Sequence, residues 1–180
     1  MEMSNQHRRF LLIGQSGVQG VLNFLENGLI VWFIHGSSNT IAIWNETGGI
    51  VLDLLLTGLF LPFLICVIVS PIIAAQVRSG KVPPLSPEQF LHSYWFRRSS
   101  WMRGLLLGTA GVIFGALPVV SALILAQAQS FPMVSYMIFK AVWAAALASL
   151  VAPIIGWWAL ANASRKMLVN SRQNLHQRVM

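Results

Sequence analysis

The chain has 180 residues, 56% of them hydrophobic and only 9% charged, with a formal net charge of +7. Ordinary soluble domains carry about a quarter charged residues, so this composition excludes a soluble globule, whose surface it could not cover. A lone cysteine, Cys66, likewise excludes a disulfide framework or a CxxC metal set.

Four apolar runs cover roughly 10–35, 50–77, 102–126 and 134–161. Each reaches the length needed to cross about 30 Å of hydrocarbon at 1.5 Å per residue. Backbone in lipid must satisfy its own hydrogen bonds, and runs this long without alternation predict helices rather than barrel strands. The fold class expected is an all-α membrane protein, a single transmembrane domain of four helices. The first run is too long and too polar for a cleaved signal peptide.

Placement of the basic residues orients the expected bundle. Arg8 and Arg9 precede the first run, Arg78, Lys81, Arg97, Arg98 and Arg103 lie between the second and third, and Arg165, Lys166, Arg172 and Arg178 follow the fourth. Of the 12 Lys and Arg residues only Lys140 falls elsewhere. The positive-inside rule makes that side cytoplasmic, with both termini inside. Anionic lipid at the cytoplasmic face is the partner this charge implies, and nucleic acid is not.

Within the first run, Ser16, Gln19, Asn23, Glu26 and Asn27 step by three or four residues and so share one helix face. Such a stripe is expensive in lipid and is expected to face other helices or a wet cavity. Asn and Gln there serve as interhelical glue or as ligand contacts. Glu26 lies about 24 Å from the inner boundary. Its side chain leans towards the helix N-terminus, away from the nearer water, so it is expected to pair, with Lys140, or to stay protonated. Gly14, Gly17 and Gly20 form a small-residue stripe on this helix.

The second run opens near Asp53, where an acid in the first helical turn suits the helix dipole, and carries Pro62 and Pro71. Between runs two and three, Ser86-Pro87-Glu88-Gln89 reads as a capping box. It opens an amphipathic stretch with Phe90, Leu91, Tyr94 and Trp95, expected as a short helix in the cytoplasmic interface. In the third run Gly104, Gly108, Gly111 and Gly115 make a second small-residue stripe, so the expected helix-packing seam is span one against span three. Near the start of the fourth run stands Lys140, long enough to snorkel. From Arg165 onward the chain reads as a short exposed basic tail.

Aligned against itself, the chain sets Arg9, Gly14, Gly17 and Val18 over Arg103, Gly108, Gly111 and Val112. Val69, Pro71, Ile72 and Ile73 then fall over Val151, Pro153, Ile154 and Ile155. This suggests two tandem parallel-repeat hairpins, about 9–77 and 101–162, joined by a cytoplasmic loop of about 78–100 and followed by a tail at 163–180. Neither a nucleophile–base pair nor a metal-ligand spacing is visible, and the four histidines lie in tails, helix ends and loops. No catalysis and no cofactor are therefore expected.

At Asn23-x3-Asn27-Gly28-x3-Trp32, followed by Trp44, Asp53, Pro62 and Pro71, the chain resembles small four-span bacterial inner-membrane proteins with no assigned activity. The likeness covers mainly the first hairpin and implies a bacterial inner-membrane source. By the role of Glu26 it is also similar to the small multidrug-resistance transporters, four-span proteins with an essential glutamate in the first helix. It departs from them in length, in its loop helix and in its one-sided charge. Two functions remain open. One is a small permease or proton/cation-coupled binding protein, a homodimer in which Glu26 is the ion site, oriented by Asn23 and Asn27 and tuned by Asp53 and Lys140. The other is a non-transporting accessory or scaffold subunit of a membrane complex.

Overall fold

The computed structural model describes residues 4–45, 49–86 and 99–179. Its helices are α1 (Asn5–His35), α2 (Ile50–Arg78), α3 (Ser100–Leu125) and α4 (Met133–Val179), and each is long and apolar enough to cross a membrane. Side-chain caps begin two of them. Ser4 accepts from His7 N in front of α1, and Ser99 accepts from Met102 N in front of α3, each at 3.3 Å. Gly80, at φ 75°, turns the chain out of α2 in a conformation that only glycine adopts freely. The interfacial helix predicted from Ser86 lies, past that residue, outside the described residues.

Wide π-helical turns interrupt α1 at Phe10–Gly17 and α3 at Gly111–Ala116. The second directly precedes Leu117-Pro118, where the wider turn makes room for a pyrrolidine ring that would clash with a regular i−4 carbonyl. Pro62 and Pro71 in α2 and Pro153 in α4 are absorbed within continuous helix. The stretch expected as a tail from residue 163 is helical, since α4 runs on to Val179. No Gly or Pro follows Gly156, Ala, Arg, Lys and Leu there favour helix, and cations near a helix C-terminus suit its dipole.

Helices α2 and α4 pack against each other at the centre, α1 lies on α4, and α3 lies on α2. The expected seam of span one against span three is therefore corrected. Gly104, Gly108 and Gly111 instead face α2. A methyl group on Gly108 would strike the Leu59 carbonyl, and one on Gly111 the Gly58 carbonyl. Gly115 faces Trp143 and Leu147 of α4. On α1, Gly20 stands against Ser149 and Gly28 against Ala141 of α4, whereas Gly14 and Gly17 meet only their own helix.

Close approach at the centre comes from alanines. Ala144 and Ala148, fully buried and one turn apart on α4, pack in one core cluster with Leu61, Ile65, Val69 and Ile73 of α2. Without a hydrophobic drive between helices in lipid, such backbone proximity and van der Waals contact hold a bundle together. The outward surface is apolar, with Phe33, Phe114, Leu125 and Leu150 among its most exposed side chains.

The two interhelical links at the end away from the termini pair as antiparallel strands, β1 (Thr40–Ala42) with β2 (Ser130–Pro132), Ile41 opposite Phe131. Ile43 N adds a bond to Gln129 O and Met133 N one to Asn39 O, both 3.0 Å. This ribbon buries Ile41 and Ile43 over Val31, Leu54, Val120 and Tyr136, closing that end of the bundle. At the opposite end His7 Nε2 donates to the Pro83 carbonyl at 2.9 Å, and Leu85 N donates to Ser164 Oγ at 2.9 Å. Those two bonds hold the stretch after α2 against α1 and α4.

Candidate functional site

Three polar side chains meet near the strand end. Asp53 occupies the first turn of α2, where unpaired N–H groups and the helix dipole favour a carboxylate. Tyr136 and Lys140, four residues apart, lie one above the other on α4 and both reach across to it. Lys140 Nζ donates to Asp53 Oδ1 at 2.5 Å and to Oδ2 at 2.6 Å, and the Tyr136 hydroxyl donates to Oδ2. The Lys140 side chain is 3% exposed and that of Asp53 28%. The pair borders a cavity of about 270 Å3, walled by Ile30, Val31 and Ile34 of α1 with His35 also lining it.

Lys140 thus takes Asp53 as its partner, and the expected Glu26–Lys140 pair is corrected. The lean of Lys140 towards the start of α4 carries its ammonium to the helix end where Asp53 also stands. Glu26 instead lies on an exposed face of α1 among Leu22, Leu25, Leu29 and Ile30. The predicted polar stripe is therefore split. Its buried members, Asn23 and Asn27, share the face of Gly20, which packs on α4.

Neither asparagine amide reaches across the seam through its donor. Asn23 Nδ2 donates to Gln19 O at 2.9 Å and Asn27 Nδ2 to Asn23 O at 3.0 Å, each one turn back on α1. Helix-to-helix bonding falls to Ser16 and Ser149: each hydroxyl donates to the other residue's carbonyl, at 2.7 and 3.3 Å. Of the five predicted site residues, the fold joins Asp53 with Lys140, buries Asn23 and Asn27 in the α1–α4 seam, and leaves Glu26 outside.

Both Asp53 carboxylate oxygens accept from Lys140 and one also from Tyr136, while the side chain keeps partial exposure towards the cavity. Tyr136 is absent from the sequence-based candidates. Its signal is its position one turn before Lys140, where a hydroxyl joins the lysine on one face. Among the described residues no three His, Cys, Asp or Glu side chains gather as a metal site. Comparison with protein-family models, with curated proteins and with solved structures finds no match.

Proposed function

We propose that the protein is an integral membrane protein of the bacterial inner membrane, both termini cytoplasmic, that acts as a non-transporting accessory or scaffold subunit. Its docking face is the outer side of α1 around Glu26. The observation that carries this is the placement of Glu26: a carboxylate among exposed leucines, with the cation nearest in height already bound to Asp53. Gly28 stands against Ala141, so Glu26 and Lys140 lie at similar heights, yet on different sides of α1. A carboxylate facing hydrocarbon is expensive unless paired, and a neighbouring membrane helix bearing a cation or amide donors would pair it. Self-association through this face would oppose Glu26 to its own copy, two like charges, which favours a different partner.

The apolar core of Leu61, Ile65 and Val69 with Ala144 and Ala148 separates the cavity beside Lys140 from the opposite end, and this supports a static role. The tandem-hairpin origin belongs to the same proposal. A two-fold axis along the bundle would exchange α1 on α4 with α3 on α2 and bring the two links together antiparallel, as they are. The amphipathic stretch after Ser86 would anchor the cytoplasmic side to anionic lipid.

Photo-crosslinkers placed at Leu25 and Leu29 in cells test the docking face. A discrete membrane-protein adduct, weakened by Glu26→Gln at equal expression, is expected. No adduct at either position would refute it. A second reading, a proton- or cation-coupled permease, draws on the partial exposure of Asp53 beside its cavity. Proton-linked flux in reconstituted vesicles that is abolished by Asp53→Asn or Glu26→Gln would favour that reading instead.

A further inference from the structure

We infer that the end of the bundle carrying the termini holds a binding site for a phosphate group, built around the buried guanidinium of Arg103. This residue lies in the first turn of α3 and is 1% exposed. Its Nη2 donates to Ser100 Oγ at 3.4 Å, while Nε and Nη1 are buried without a partner. Buried donors in folded proteins nearly always have acceptors, and a guanidinium cannot relieve itself by losing a proton. Two unmet donor atoms on a permanent, buried cation therefore point to an acceptor that binds from outside the chain.

The surroundings define its chemistry. Arg103 lines a cavity of about 390 Å3 between α2, α3 and α4, together with Arg78, Lys166, Ser70, Ser100 and Asn162. Three cations thus converge. Among the described residues no carboxylate opposes them, since Asp53 is bound to Lys140 at the other end and Glu26 lies on the outer face of α1. The α3 N-terminus adds its partial positive charge. A group that accepts several hydrogen bonds from guanidinium, ammonium and hydroxyl donors, and carries more than one negative charge, is a phosphate. A carboxylate would leave part of this donor set unmet.

A second cleft lies between α1 and α4. Leu11, Leu12, Ile154 and Trp157 line that cleft, with Arg8 its only charged residue among the described ones. A cavity shaped only by helix packing would not concentrate three cations and four uncharged hydrogen-bonding side chains in one place. The phosphate can come from an anionic lipid headgroup or from a soluble phosphate ester, and the two share this recognition.

Thermal unfolding of the full chain in uncharged micelles separates the sources. It is titrated at constant ionic strength with inorganic phosphate and, separately, with short-chain phosphatidic acid. A ligand that binds only the folded state raises the midpoint in a saturable way. Stabilisation by phosphate supports the site and a soluble ester. Stabilisation by phosphatidic acid alone supports the site and a lipid headgroup. Arg103→Gln should abolish the response. Should that variant fail to fold, the exposed pair Arg78→Gln with Lys166→Gln decides, with an expected affinity loss of about tenfold or more, as for charge-assisted hydrogen bonds. A saturable response to neither probe, or one unchanged in the double variant, would overturn the proposal.

Discussion

Lys140→Met removes the cation of the Asp53 cluster while keeping most of the buried aliphatic stem. What remains is a carboxylate that accepts from Tyr136 alone, at a site where the lysine side chain was 3% exposed. Removing one partner of a fully buried ion pair costs about 3–5 kcal/mol. Asp53 is 28% exposed and recovers some hydration, which brings the expected loss below that range, to about 2–3 kcal/mol. Replacing both charges, as Asp53→Leu with Lys140→Met, removes the orphaned acid and leaves only the Tyr136 hydroxyl without its acceptor, a cost of about 1 kcal/mol. The double variant should therefore be more stable than Lys140→Met. Unfolding in mixed maltoside–dodecylsulfate micelles, followed by tryptophan fluorescence, reads all members of the cycle. Strict additivity of the two single changes would refute the pairing, because residues that do not touch do not couple. Coupling of Lys140 to Glu26 instead would restore the pair expected from sequence alone.

Gly111→Ala should destabilise by about 1–3 kcal/mol because its methyl meets the Gly58 carbonyl. Gly17→Ala, with only its own helix nearby, should be neutral or stabilising by up to about 1 kcal/mol; the same unfolding assay compares them, and equal losses would contradict the packing. Cysteines at Ile41 and Phe131, in a Cys66→Ala background, should form a disulfide on mild oxidation, since directly opposed strand residues lie within bridging distance. A non-reducing gel checks this, and persistently free thiols would disprove the ribbon. Ser16→Ala and Ser149→Ala should couple by about 0.6 kcal/mol, the usual size for such bonds between membrane helices, and a cycle that closes to zero would remove them from the α1–α4 seam.

The four helices are legible in the chain because apolar length is a local property: 20-odd consecutive residues determine whether a helix can cross hydrocarbon. Their observed ends fall within a few residues of the sequence estimate except in α1 and α4, which run further, α4 because nothing in its basic extension breaks a helix. Charges inside apolar runs are equally visible, so Asp53, Lys140 and Glu26 stand out before any fold is known. Arg103 does not. Read as one of the orienting basic residues and as the repeat match of Arg9, it gives no sign that it will be buried against Ser100 beneath α2 and α4. The link strands are also hidden, because three-residue segments take their pairing from the helices that bring them together.

Helix pairing depends on which small residues meet which protrusions. Glycine spacing alone suggests α1 against α3, but the alanine stripe of α4 accepts the aliphatic side chains of α2 and makes those two helices the centre. That choice turns Asn23 and Asn27 inward, leaves Glu26 outside and gives Lys140 to Asp53. The chain by itself therefore determines four apolar helices and the charges they carry, because each property is set by neighbours in sequence. Which charges meet is decided only when side chains distant in the chain compete for the same contact, and shape and reach at that contact settle the outcome.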